Sequence, residues 1–457
     1  MNKGSAIPVA VISDPASDDV PEGWRLAPIK DTADVNPRHP KGVDDSMPVS
    51  FAPMAALSED GPAFVDLQER LYGEVRKGFT HFGEGDVLFA KITPCMENGK
   101  GAVATGLRNN IGCGTTELHV LRPHAELEAL YLYRFLSQQC IRRDAKETFT
   151  SSAGQARVPA QFIKDLEIPL PPIAEQKRIV AKVEELLARV NAARKGLAKV
   201  PAILKRFRQS VLAAACSGRL TEEWRGSNDS VNWRDISFQD LVVSSFYGPR
   251  FAADDYSDFG IPTIRTTDMD YRGRIDLSGS PRIRLAAEEL VKLGLQDGDL
   301  LVTRTGATIG KCAVYAESLG PALPSAYLIR FRLKKELVDP RYGLMLLMAP
   351  EGQSLLRGGS TAVAQPNVNA KSIGSFEFSL PPLPEQCEII RQVDRLFALA
   401  DSIEKQVAAG TARGEKLTQA ILAKAFRGEL VPTEAELARR EGHEVEPVDG
   451  AAIRLGL

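Results

Sequence analysis

Apolar residues step by alternating fours and threes along two stretches of this chain. In the first, Ile179, Val183, Leu186, Val190, Ala193, Leu197, Val200, Leu204, Phe207, Val211 and Ala214 fall on one stripe. In the second, Ile389, Val393, Leu396, Ala400, Ile403, Val407, Gly410, Gly414, Leu417 and Ile421 do the same. A sustained 4-3 step is the a/d seam of a coiled coil. Roughly six heptads exceed what a helix lying on its own domain needs. The two stretches are also copies at an offset of 210 residues, since Leu-Pro-Pro-Ile-Ala-Glu-Gln at 170–176 becomes Leu-Pro-Pro-Leu-Pro-Glu-Gln at 380–386. Gln209 answers to Gln419, Leu212 to Leu422, Gly218 to Gly428 and Leu220 to Leu430. Solenoid periods run to roughly 20–50 residues. This one predicts two similar halves instead, each a globular head followed by a long helix.

The helix ends are punctuated. Leucine before proline is pushed to extended geometry, proline suits a first turn, and Glu175 and Glu385 favour the positive N-terminal end of a helix. Gly218 and Gly428 sit where a left-handed cap closes a helix. About 45 residues at roughly 1.5 Å each give a rod of roughly 65 Å. Two such rods in one chain are expected to run antiparallel. Pro201 removes a backbone donor mid-rod, and Gly410 and Gly414 thin the other seam, so a kink or break is expected near each.

Ahead of each rod the periodicity switches to short β-type runs broken by Gly, Pro, Asn and Asp. Gly85–Lys91 parallels Gly298–Arg304, each a tight turn feeding a strand that ends on a basic residue. Leu118–Arg122 and Tyr327–Arg332 read as the next strands, 129–141 and 341–356 as helical, and Phe162–Leu170 and Ile373–Leu380 as extended runs. With no regular βαβ alternation, the fold class is α+β with mainly antiparallel sheets. The expected organisation is a disordered 1–20, a head at 21–172, a helix at 173–218, a second head at 219–380, a second helix at 381–428 and a tail at 429–457. Trp24 and Trp233 mark the starts of the two heads.

Composition adds constraints. The apolar fraction of 44% and charged fraction of 25% over 457 residues suit a soluble protein of two or three domains. No apolar run of roughly 18 residues suggests a membrane span, and no signal-like layout opens the chain. Six scattered cysteines without a C-x-x-C pair read as reduced thiols of a cytoplasmic protein, and no metal site is expected. The net charge of −2 argues against a simple polycation. Its distribution is uneven: residues 173–220 carry 11 Lys/Arg against 3 Asp/Glu, and residues 381–430 carry 7 against 7. The basic helix is either a solvated or partner-packed face, or a face toward a phosphate backbone.

Catalytic parts are not evident. Adenine methyltransferases hold a flipped base with an Asp/Asn-Pro-Pro-aromatic motif, but here leucine precedes each Pro-Pro pair and Ile173 or Leu383 follows. Glu175-Gln-Lys177 mimics the end of a nuclease motif, but its second copy has Cys387 for the lysine. Gly306–Lys311 resembles a phosphate loop one residue short, followed by Cys312 rather than Ser or Thr. The heads do offer polar readout chemistry. Arg and Lys match guanine, Asn and Gln match adenine, and Ser and Thr bind phosphate. The candidates in the first head are His81, Lys91, Thr93, Asn98, Lys100, Ser151, Ser152, Gln155 and Arg157. Those in the second are Arg265, Thr266, Thr267, Arg304, Thr308, Lys311, Ser360, Gln365, Asn367 and Asn369. Each taken alone is more often a loop solubiliser, so their corresponding placement in both heads is what gives them weight.

The L-P-P-[IL]-x-E-Q motifs, Ile203–Leu212, Ser217–Trp224 and Leu417–Leu430 resemble the specificity (S) subunit of type I restriction–modification systems, closest to the type IA class. The turn Ile92–Lys100 also resembles part of a target recognition domain. The resemblance implies two mixed α/β target recognition domains joined by two long antiparallel coiled-coil helices, a pseudo-two-fold internal repeat. Each domain would read one half of an asymmetric, interrupted site in double-stranded DNA. The helices would set the spacing and dock two methyltransferase subunits, with two restriction–translocase subunits completing the complex. The chain itself would be non-catalytic and cofactor-free, with S-adenosylmethionine, ATP and Mg²⁺ on its partners.

Overall fold

The computed structural model describes residues 20–39, 41–59, 61–152, 155–226, 232–358 and 368–442. These form two compact units, one of the described residues up to 197 together with those from 410 on, the other of the described residues between 198 and 409. In the first unit a four-stranded antiparallel sheet runs in the order Ala33–Val35, Leu118–Pro123, Val87–Ala90, Gly101–Val103. The second unit repeats it as Val242–Tyr247, Leu328–Leu333, Leu300–Thr303, Cys312–Val314. Each unit adds a second four-stranded sheet holding one parallel pair, Pro48–Ala52 with Ile111–Gly114 or Ile261–Ile264 with Leu323–Pro324.

The Gly-Asp turns explain the sheet geometry. Gly85 and Gly298 take φ of 83° and 84°, a left-handed conformation that needs no Cβ. The aspartate that follows is buried and tied to the neighbouring strand. Asp86 accepts two hydrogen bonds of 2.8 Å from Arg122, and Asp299 two of 2.9 Å from Arg332. Each also accepts a backbone N–H of its own turn, from Gly83 or Gln296. Paired and hydrogen-bonded in this way, a buried carboxylate does not bear the cost of an orphan charge.

The helices depart from the expected rods in instructive ways. The first rod is split into Ile173–Leu197 and Val200–Cys216, with Pro201 at the start of the second piece. The second rod is one continuous helix, Leu383–Phe426, so the break expected at Gly410 and Gly414 is absent. The glycines serve close approach instead. A Cβ on Gly410 would lie 3.1 Å from Leu197, and one on Gly414 would lie 3.2 Å from Arg194. Ile179, Val183, Val190, Leu204, Val211, Ile389, Val393 and Ile421 of the expected seam are buried, and Leu186, Leu197, Phe207, Leu396, Ile403 and Val407 are half-buried. Leu417 is a miss, 52% exposed. One turn on, Ile421 and Leu422 are both buried. The extended runs expected at Phe162–Leu170 and Ile373–Leu380 open as short helices, Ala160–Asp165 and Ala370–Gly374. Only Glu167–Leu170 and Glu377–Leu380 are strands, paired with Arg25–Pro28 and Arg234–Ser237.

The repeated Glu-Gln pair is a clasp. Glu175 accepts from the Trp24 indole and the Glu434 backbone N–H, both at 2.9 Å. Glu385 accepts from Trp233 at 2.9 Å, Arg225 at 2.8 Å and Thr221 at 2.7 Å. Burial raises the Glu175 carboxyl above its ordinary range, against the lowering effect of those two donors. Each glutamine amide is saturated. Gln176 accepts from Glu128 N–H at 2.8 Å and donates to the carbonyls of Glu126 at 2.8 Å and Pro171 at 2.9 Å. Gln386 repeats this with Asp339 N–H, Leu337 and Pro381. Each long helix is thereby fastened at its first turn to the capping residue of a head helix, Ala129–Leu136 or Pro340–Met348.

Each core is closed by helix ends from both halves of the sequence. The first unit buries Ile179, Val183 and Leu187 beside Ile421, Leu422, Ala425 and Phe426. The Phe426 ring lies 4.9 Å from that of Tyr131 and 5.4 Å from that of Phe135. The second unit buries Ile389, Ile390 and Val393 beside Val211, Leu212 and Ala215. Left-handed Gly218 and Gly428 end the helices against the two tryptophans, and a Cβ on Gly428 would meet Pro21 at 2.5 Å.

Removing the clasp is expected to be costly. Gln176→Ala leaves an N–H and two carbonyls unpaired, so urea unfolding should show a loss of about 2–4 kcal/mol. Gln209→Ala, at an exposed position, should stay within about 0.5 kcal/mol. Equal effects of the two would contradict the clasp.

Candidate nucleic-acid interface

Corresponding strands end at corresponding places in the two units, and there the candidate residues gather. In the first, Lys91 follows the strand Val87–Ala90, and its N–H donates to the Glu117 carbonyl at 3.0 Å. Arg157 grips the Glu117 carboxylate with two hydrogen bonds of 2.9 and 2.7 Å. That bond holds the Glu117 carboxyl below its usual value. Lys91 is half-buried, and burial lowers its pKa while Glu117 opposes the shift. Val158 N–H donates to the Lys91 carbonyl at 2.9 Å.

In the second unit, Arg304 follows Leu300–Thr303, its N–H donates to the Tyr327 carbonyl at 3.0 Å, and the Arg304 carbonyl accepts from Val368 N–H at 2.8 Å. The guanidinium lies 5.0 Å over the Tyr247 ring, and its buried Nε has no hydrogen-bond partner among the described residues. The backbone plan is therefore shared while the side chains differ. One sheet end carries Lys91, Glu117 and Arg157; the other carries Arg304, Tyr247 and Tyr327. A cation over a ring plus unpaired donors suits contact with phosphates and base edges.

A second group lies in each following turn. Thr93, half-buried, and Asn98 sit in the turn Ile92–Lys100, where Asn98 donates to Glu59 at 3.1 Å and Lys100 to the Met54 carbonyl at 3.3 Å. In the second unit Lys311 donates to the Thr266 carbonyl at 2.9 Å and stands 5.4 Å over the Tyr271 ring. Thr308 is half-buried and accepts the Lys311 N–H through its carbonyl. The phosphate-loop likeness of Gly306–Lys311 does not survive, because the segment leads into the strand Cys312–Val314 rather than a helix.

Other candidates are occupied elsewhere. His81 is buried in the strand Thr80–Gly83, its Nε2 3.2 Å from the Arg76 carbonyl and its Nδ1 3.7 Å from the Cys113 sulfur. Arg265 is committed to Asp268 and the Gly279 carbonyl, and Thr267 also leans on Asp268. Asn369 caps the helix Ala370–Gly374, accepting the Ser372 N–H at 2.8 Å. Sequence types suited to readout were here recruited for caps, turns and core. The hairpin Thr150–Ser152 with Gln155–Arg157 holds Ser151, Ser152 and Gln155. Ser360, Gln365 and Asn367 lie outside the described residues. Sequence reasoning missed Glu117, Tyr247, Tyr271 and Tyr327, of which Tyr271 and Tyr327 are more than half exposed. The signal for Glu117 and Tyr327 was available, since each immediately precedes the strand paired with the one that ends on a basic residue. Among the described residues no cluster of three or more His, Cys, Asp or Glu is placed to hold a metal ion.

Comparison with known proteins is consistent across the chain. A family model described as type I restriction modification DNA specificity domain matches residues 68–200 and 231–409. The specificity subunit of the type I restriction enzyme StySPI from Salmonella potsdam is 36% identical over 315 residues, covering 68% of this chain and 67% of that one. The EcoKI specificity subunit from Escherichia coli (strain K12) is 34% identical over 318 residues, with 68% of each chain covered. Among solved structures, a chain from work on assembly and conformational transition of the type I system superposes with a TM-score of 0.73 at 22% identity, covering 91% of this chain and 100% of that one. The HsdS subunit from Thermoanaerobacter tengcongensis gives 0.59 at 23% identity, covering 90% and 98%. At these identities the two structures speak for the fold.

The burial of His81 has a pH signature. Burial, then the neighbouring His39, lowers its pKa from 6.5 to about 4. The fold prefers neutral imidazole, so the contribution is full above the unfolded value of about 6.5 and is lost as pH falls toward 4. Urea unfolding should show about 2–3 kcal/mol less stability from this group at pH 4 than at pH 7. His81→Gln should show a correspondingly smaller pH dependence; equal dependence in both proteins would contradict the assignment.

Proposed function

The chain belongs to the type I restriction–modification DNA specificity family, and from that membership we propose how it reads DNA. It is a DNA-specificity subunit, the non-catalytic member of such a system. The target recognition domains are residues 21–172 and 219–380, each reading one half of a bipartite, asymmetric duplex site. The helices at 173–218 and 381–428 set the spacing between halves and dock the partners. Those partners are two methyltransferase subunits and two restriction–translocase subunits, which bring S-adenosylmethionine, ATP and Mg²⁺ for N6-adenine methylation or ATP-dependent cleavage. The chain works in the cytoplasm; no described helix is long and apolar enough to cross a membrane.

The observation that carries this reading is the repeated sheet end with unlike side chains. Two readers built on one backbone plan, each fastened by the same clasp to a helix start, suit partners of one kind and base sequences of two kinds. Lys91, Arg157, Arg304 and Lys311 are the proposed cationic contacts, with Thr93, Asn98, Lys100, Thr266 and Thr308 beside them. Ser151, Ser152, Gln155, Ser360, Gln365 and Asn367 are proposed on position in sequence alone.

Exchanging residues 21–172 for those of another family member should change one half of the methylated sequence and leave the other intact. Sequencing N6-methyladenine in cells expressing the chimaera with its partners reads this directly, and a motif unchanged in both halves would overturn the reading. Lys91→Ala and Arg304→Ala should each weaken duplex binding by the assembled complex and reduce the slope of log affinity against log salt by about one. An unchanged slope in both would remove them from the interface.

A further inference from the structure

A guanidinium carries five N–H donors in one rigid plane, arranged as a fork along its side and a second fork at its end. In the first unit the side fork of Arg157 is already filled. Its Nε and Nη2 each donate to one oxygen of the Glu117 carboxylate, at 2.9 and 2.7 Å. The three remaining N–H groups make no other hydrogen bond among the described residues, and two of them, on Nη1 and Nη2, form the end fork. The Arg157 side chain keeps 43% of its surface open against 19% for Glu117, so the arginine is the partner turned outward.

Both partners stand on backbone pinned at the same strand end. The Glu117 carbonyl accepts the Lys91 N–H at 3.0 Å, and the Glu117 N–H donates to the Thr115 hydroxyl at 3.3 Å. Arg157 pairs with Ile92 in an antiparallel bridge. The next residue, Val158, donates its N–H to the Lys91 carbonyl at 2.9 Å, and its own carbonyl lies 2.9 Å from Nε2 of the buried His119. An arginine fixed at its backbone and along one side has little rotamer freedom left to lose, so its free fork is preorganised.

Two nucleic-acid groups accept from such a fork in parallel: a phosphate, and the O6 and N7 of guanine. The charge of the pair decides between them. Arg157 and Glu117 cancel, and a phosphate at the free fork would stand within a guanidinium's width of a carboxylate. Like charges at that range repel. Guanine O6 and N7 carry no net charge, so the carboxylate does not oppose them. Lys91, half-buried and close enough to sense both charges, is left as the uncancelled cation for the backbone. The second unit has no such pair. The offset of 210 puts Tyr327 where the first has Glu117, and Arg304 lies over the Tyr247 ring with its Nε unpaired among the described residues.

We propose that Glu117 is a positioning residue that aims the free fork of Arg157 at one guanine in the half-site read by the first head. This rests on the reading of the strand end as the nucleic-acid interface, and adds to it the base, the atoms and the residue that orients them.

Sequencing N6-methyladenine in cells expressing the full chain with its partner subunits gives the motif, and Arg157→Ala and Glu117→Gln are then compared with wild type. Both should relax the same single G·C pair in the half assigned to residues 21–172. The other half should stay fully specified, which reports a folded chain. Arg157→Lys, which keeps the charge but not the fork, should relax that pair too. On short duplexes bound by the assembled complex, 7-deazaguanine at that pair should cost the wild type about tenfold in affinity and cost Arg157→Ala nothing. Glu117→Gln should lose most of that discrimination while keeping its affinity for duplex at large, since an acid has left the interface. In the Arg157→Ala background it should add nothing. Relaxation by Arg157→Ala but not by Glu117→Gln would overturn the positioning role. A smaller salt slope for Arg157→Ala with every base still specified would make it a phosphate contact and overturn the guanine assignment. A first half built of A·T pairs alone would overturn it as well. Should no substitution at Lys91, Arg157 or Glu117 change motif, affinity or slope, the fault lies with the placement of the interface itself, and the proposal falls with it.

Discussion

Ile421, Leu422, Ala425 and Phe426 lie more than two hundred residues along the chain from the first head, yet they fill its core. Val211, Leu212 and Ala215 do the same for the second. Neither head is complete without a helix end belonging to the other half of the sequence. Burying a side chain such as Phe426 is worth several kcal/mol against truncation, a large share of a typical domain stability of about 5–15 kcal/mol. Folding of the heads is thus coupled to the helices being of the right length and register. The Glu-Gln clasp fixes where each helix starts, and the left-handed glycines fix where it stops.

This coupling explains why the most recognisable motifs are not the functional ones. Glu175-Gln176 and Glu385-Gln386 carry no reaction; their polar atoms are consumed by indole, backbone amide and carbonyl groups. The proposed readout surface sits where the backbone is shared and the side chains are not. Lys91 and Arg304 hold equivalent positions, but one neighbours a carboxylate and the other a tyrosine ring. Such a design lets one head change its chemistry without disturbing the clasp, the core or the other head.

Much of this architecture was legible in the sequence. The 4-3 step, the Leu-Pro-Pro signals and the terminal glycines located the helices, and Pro201 located the one break. Gly410 and Gly414 misled because helix propensity is local, whereas their role is to admit Leu197 and Arg194 from a neighbouring helix. Leu417 has a seam-type side chain at the seam spacing, yet it is exposed. The site was harder to read. His81, Arg265 and Asn369 have the right chemistry, but what they touch was decided by tertiary packing. Glu117 and Tyr327 could have been read from their places before paired strands, whereas Tyr247 and Tyr271 became visible only once the strand ends were aligned.

Amide hydrogen exchange on the Phe426→Ala chain probes the shared core most directly. Protection should fall across Ala129–Leu136, whose Tyr131 and Phe135 rings pack on that ring, while Pro340–Met348 in the other unit keeps its wild-type rates. Unchanged protection in the first unit, or equal loss in both, would contradict a core closed by the distal helix end.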